Sequence, residues 1–156
     1  MNLVRCLLVL GFALAACDSG GEPPAHSHTA PHGGTLVPLG DHFANVELVW
    51  DSATGRLEAF ILGPHASQAV RITAEKLDLT LGDRSIVLHA VESALSGETV
   101  GDTSAFAGEL VPRQDEAPPL GGSLTRIEVF GQTFENVAFE LEPASDANQD
   151  SRESSR

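Results

Sequence analysis

Beyond Gly34 the apolar residues of this chain recur at every second position, and no stretch carries a convincing amphipathic helix. In the run Ala44-Asn45-Val46-Glu47-Leu48-Val49-Trp50-Asp51, the apolar Ala44, Val46, Leu48 and Trp50 share one face, with Asn45 and Glu47 on the other. That is the period of a half-buried strand. Asp51-Ser52-Ala53-Thr54-Gly55 is turn chemistry, and residues 56–62 resume the pattern, so the two runs read as a hairpin. Further short strands are expected at 69–73, 77–81, 84–91, 106–111, 124–130 and 133–141. Gly82-Asp83 and Gly131-Gln132 are the expected tight turns, and 112–122 is a Pro-rich acidic loop. About eight short strands separated by turns predict an all-β domain. The expected form is a single antiparallel β-sandwich of immunoglobulin-like size, with a small barrel as the alternative. The Cys-Trp-Cys hallmark of true immunoglobulin domains is missing, so Trp50 is read as a core residue.

The 156 residues suit one domain. Ahead of it, Arg5 precedes the apolar run of residues 6–14, which is too short to span a bilayer and reads as a signal-peptide core. The run closes on Leu14-Ala15-Ala16-Cys17, which resembles the lipobox of bacterial lipoproteins at every position. That resemblance implies cleavage before Cys17 and a covalent lipid on its thiol. An ordinary secretory signal with a chance cysteine is the other reading. Two acyl chains or more anchor a protein stably where one does not. The expected divisions are a signal peptide at 1–16, a lipid-anchored flexible linker at 17–31, the β-domain at 32–142 and a disordered tail at 143–156. An Asp after the lipidated Cys is associated with inner-membrane retention in enterobacteria, and Asp18 tilts the assignment that way.

Cys6 leaves with the signal and Cys17 carries lipid, so the mature domain has neither disulfide nor free thiol. Thiolate metal sites and cysteine nucleophiles are thereby excluded. The chain carries 22 acidic against nine basic residues, a formal charge of −13. Such a surface argues against nucleic acid and favours cations, or simply keeps an envelope protein soluble.

Chemistry concentrates where linker meets domain, in His26-Ser27-His28-Thr29-Ala30-Pro31-His32-Gly33-Gly34. Imidazole is the commonest protein ligand of zinc and copper. His26 and His28 point the same way in an extended segment and can pinch one cation, or are solvated linker residues. His32 sits beside two glycines that permit a special backbone path, which suits either a ligand or a structural hydrogen-bonding role. His42 and His65 fall in loops at strand ends, and such loops gather at one end of a sandwich. The expectation is that His32, His42 and His65 converge on a copper or zinc ion, with His26 and His28 auxiliary. Asp41 or Glu47 would serve as an oxygen ligand or as a partner behind the histidines. His89 is out of phase with Ile86 and Leu88 and is left outside the site.

Residues 97–104 mix acids with hydroxyls but lack the Asp/Asn spacing of an EF-hand, so a plain turn connection is favoured over calcium. No G-x-S-x-G, HExxH, Walker or dinucleotide motif is present, and nothing ties a nucleophile to a base. No enzymatic activity is expected.

The runs PHGGTLVPLGDHFANVELVWDSATGRLEAFILGPHASQAVRI, SGETVGDTSAF and IEVFGQTFENVAFELEP are similar to a group of uncharacterised bacterial envelope lipoproteins whose β-domain opens on HGG. The HGG and hairpin region also resembles, more weakly, segments of the periplasmic adaptors of heavy-metal efflux systems, although this chain lacks their coiled-coil hairpin. Together these readings imply a lipid-anchored, non-enzymatic envelope protein that faces the periplasm or exterior and binds a transition metal. A structural or protein-interaction module that docks an envelope partner is the alternative.

Overall fold

Alternation along the chain becomes eight antiparallel strands: β1 (Thr35–Leu39), β2 (Ala44–Asp51), β3 (Arg56–Leu62), β4 (Lys76–Leu81), β5 (Arg84–Ala90), β6 (Ala105–Glu109), β7 (Leu120–Val129) and β8 (Gln132–Leu141). The computed structural model describes residues 28–111, 113 and 116–144. Cys17, His26, the rest of the leader and the tail beyond Ala144 lie outside the described residues.

The strands form one sheet in the order β1-β2-β3-β6-β5-β4-β7-β8. The sheet curls until its two edges approach. The Glu142 amide donates to Thr35 Oγ1 at 3.2 Å, Pro143 bridges to Trp50, and the Ala144 amide donates to the Trp50 carbonyl at 2.8 Å. The fold is therefore an all-β, antiparallel single domain whose two facing layers are halves of one nearly closed sheet. The inward residues of every strand meet in one core. Val46, Leu48 and Trp50 of β2, Leu57, Ala59 and Ile61 of β3, Phe106 and Leu141 are all at most 1% exposed. Trp50 is also satisfied as a polar group, since its indole Nε1 donates to the Leu110 carbonyl at 3.1 Å.

Three local expectations shift. β7 begins at Leu120, so the last three residues of the expected 112–122 loop are strand, with Leu120 buried opposite Leu141. Residues 69–73 make single bridges and no ladder of their own, because Val70 donates to Ile61 and Ile72 to Thr103, which divides the segment between two partners. The last hairpin turns at Phe130-Gly131, one residue earlier than expected, with Val129 paired to Gln132. Both turn residues have positive φ, 51° and 77°, the requirement of a type I′ turn whose twist matches the flanking strands. Val129 thereby stays in the core and Phe130 is left exposed.

Candidate functional site

A polar residue on the outward face of a strand normally meets water, yet Asn45 and Glu47 of β2 are 3% and 0% exposed. Residues 28–34, entering the domain ahead of β1, account for Glu47. Its Oε1 accepts the backbone N–H groups of His32 at 2.7 Å and Gly34 at 3.1 Å, and its Oε2 lies 2.7 Å from His32 Nδ1. That contact runs through Nδ1, so Nε2 faces away from the Glu47 carboxyl. The His32 ring also stacks on Phe60, centroids 4.0 Å apart. The two glycines explain why the strap can lie so close. Gly33 has φ 76°, and a Cβ on Gly34 would stand 2.3 Å from the Leu48 carbonyl oxygen. Of the two roles open to His32, the structure displays hydrogen bonding, with Glu47 as the partner behind it.

Two residues back along β2 on the same face, Asn45 lies beneath a second cluster. His28 at the start of the strap sets its ring against His42, centroid separation 5.7 Å, and against His65 at 5.9 Å, both edge-to-face. His42 closes the β1–β2 turn with φ 55°, and His65 precedes Ala66, φ 51°, in the loop after β3. These left-handed positions are uncommon for side-chain-bearing residues and aim the loops sharply. His42 and His65 thus share His28 as a neighbour, where the sequence pointed to His32. An open depression of about 140 Å³, lined by His28, Leu36, Pro38, His42 and Asn45, lies at this end.

Two imidazoles bound through nitrogen to one tetrahedral zinc have ring centroids about 5 Å apart, given Zn–N bonds near 2.0–2.1 Å. The observed separations are wider by under about 1 Å on that measure. Among the described residues, no three His, Cys, Asp or Glu side chains are grouped so that they could hold a metal ion. His28 therefore stands beside two other nitrogen donors in an arrangement that is not a preformed coordination sphere. Asp41 is exposed in the turn beside His42. His89 lies on β5, opposite Ala107 of β6 and Lys76 of β4.

The acids of residues 97–104 are used within the loop. Glu98 accepts from the Ser104 amide at 2.9 Å, from the Ser104 hydroxyl and from the Ser96 hydroxyl at 2.6 Å, while Arg71 reaches Asp102 at 3.0 Å. These hydrogen bonds, Ser104 first, hold the Glu98 carboxyl below its ordinary value, with the Arg71 charge adding to the effect. Sequence reasoning missed Phe60 and Asn45; the only signal for Asn45 was a polar residue two positions before Glu47. Comparison with protein-family models, with curated proteins and with solved structures returned no match.

Proposed function

We propose that this chain is a membrane-anchored bacterial envelope lipoprotein that binds one transition-metal ion, copper or zinc, and carries out no catalytic step. One observation supports the metal assignment above the others: the His28 ring, from the segment ahead of β1, lies beside His42 and His65 of two separate loops. Three neutral imidazoles fill three positions of a tetrahedral zinc or copper(I) sphere and leave one for water or a small solute. They neutralise none of the ion's charge, and the net negative charge of the chain, −13, favours a cation.

His32 serves this site as the strap's anchor. By fixing residues 32–34 to Glu47, it delivers His28 to the two loop histidines. The lipobox-like Cys17 and the linker after it would tether the domain to a membrane, with Asp18 tilting the choice to the inner one. The test is calorimetric titration of the full chain, free of any polyhistidine tag, with Zn(II) and Cu(II). One-to-one binding tighter than about 10 μM, which corresponds to about 7 kcal/mol, is expected. Weaker binding would remove the metal and favour the reading as a structural or protein-interaction module.

A further inference from the structure

The geometry points to Asn45 as the positioning residue of the histidine cluster: its side-chain amide holds the His65 loop to the strand that follows His42, and so sets the affinity for the metal. This rests on the metal reading above.

The β2–β3 ladder runs from Asp51↔Arg56 back to Asn45↔Leu62 and stops. Past that last rung the chain enters Gly63-Pro64, and Pro64 has no N–H with which to extend a ladder. The Asn45 side chain takes over. Its Nδ2 donates to the Gly63 carbonyl at 2.9 Å and to the Pro64 carbonyl at 3.2 Å, and the next residue is His65. The amide nitrogen is thus held against two successive carbonyls, which defines an orientation as well as a distance. On the other side, two residues separate Asn45 from His42, which ends a turn in which Gly40 and His42 both have positive φ.

Other hydrogen bonds keep the loop's own shape and join it to β3. Gly63 donates to Gln68 and Ala66 to Gly63, both at 2.9 Å, and Val70 donates to Ile61. The Asn45 amide is what reaches it from β2. It also lines the depression shared by His28 and His42. A buried amide at an outward-facing strand position is costly unless its hydrogen bonds are made, and here they are made to the backbone that carries a candidate ligand.

The test compares zinc affinities of the untagged full chain, Asn45→Leu, Asn45→Ser, His65→Ala and the double variant Asn45→Leu/His65→Ala. Leucine keeps the branching at Cγ, at a larger volume, and removes the donor. Serine is smaller, with a hydroxyl too short to span both carbonyls, and covers the case in which the leucine variant does not fold. Loss of a group that orients a ligand typically weakens metal binding by about 10- to 100-fold, and that range is expected for either single Asn45 variant. In the His65→Ala background Asn45→Leu should cost nothing further, since the amide acts through His65. Unchanged zinc affinity in a folded Asn45 variant overturns the positioning role and leaves the metal site standing. The same fold-loss with and without His65 marks a general structural effect and also overturns it. If the unmodified chain binds no zinc, the metal reading fails and this inference fails with it.

Discussion

The Nδ1 of His32 and the Oε2 of Glu47 lie 2.7 Å apart, and the two residues meet a second time through the His32 backbone N–H and Oε1. One residue thus uses main chain and side chain to satisfy both oxygens of a carboxylate that has no exposed surface. The His32-Gly33-Gly34 motif is, in physical terms, a receptor for a buried acid, and the strap that brings His28 to the barrel is fastened by it.

Glu47→Ala removes the hydrogen-bond partner of three polar groups at once, the His32 and Gly34 amides and His32 Nδ1. With one to three kcal/mol at stake for each polar group left unpaired, and water able to reach part of the strap, a loss of about 2–4 kcal/mol is expected. His32→Ala removes a half-exposed ring and one of the bonds, and should cost about 1–2 kcal/mol. Urea denaturation of the two variants checks both the size and the order; equal, negligible losses would detach the strap from the fold's stability.

Gly34→Ala should destabilise by about 2 kcal/mol or more, since overpacking a closely fitted site costs on this order. The atom met is a backbone oxygen, Leu48 O at 2.3 Å, which no rotamer change can move aside. Gly131→Ala, whose Cβ would meet nothing within 4 Å, is the control for the cost of positive φ alone. Thermal melts of both should rank Gly34→Ala as the more damaging.

Much of this architecture is written locally. The β2–β3 hairpin is legible because alternation and the Asp51–Gly55 turn agree, and His42 and His65 were recognisable as loop residues at strand ends. Closure of the sheet was not legible. It depends on Thr35 meeting Glu142 and on Trp50 meeting Pro143 and Ala144, pairs far apart in sequence with no local mark. The turn at Phe130-Gly131 shifted by one because Gly131 suits either register and core burial of Val129 decides. His28 looked like linker because nothing in Ser27-His28-Thr29 carries apolar periodicity. Its place was set by Glu47 gripping the strap four residues later. Asn45 read as an ordinary polar alternate, since the loop that covers it follows a different strand.

Acid should weaken the loop of residues 92–104 through Glu98. Its carboxyl is held below the ordinary value of 4.5 by the Ser104 and Ser96 hydrogen bonds and then by Arg71. A depressed folded-state value means the stabilisation is complete above the unfolded value and is lost as pH falls through the folded one. Melting temperatures measured from pH 7 down to pH 3 should therefore fall less steeply at the acid end for Glu98→Gln than for the unmodified chain. Identical acid limbs would contradict this.

Cys17→Ser should release the protein from the membrane fraction, because two or more acyl chains hold a protein where polar contacts to lipid do not. Fractionation with mass measurement of the N-terminal peptide reads this directly. A membrane-bound serine variant, or an unmodified Cys17 in the native protein, would contradict lipid anchoring.

The most direct test of the account is NMR of the imidazole nitrogens during zinc titration of the untagged chain. The ring nitrogens of His28, His42 and His65 should shift together and saturate at one equivalent, with His32 and His89 unmoved. An absence of shifts up to several equivalents, or shifts confined to His26 and His32, would contradict a metal site built on these three histidines.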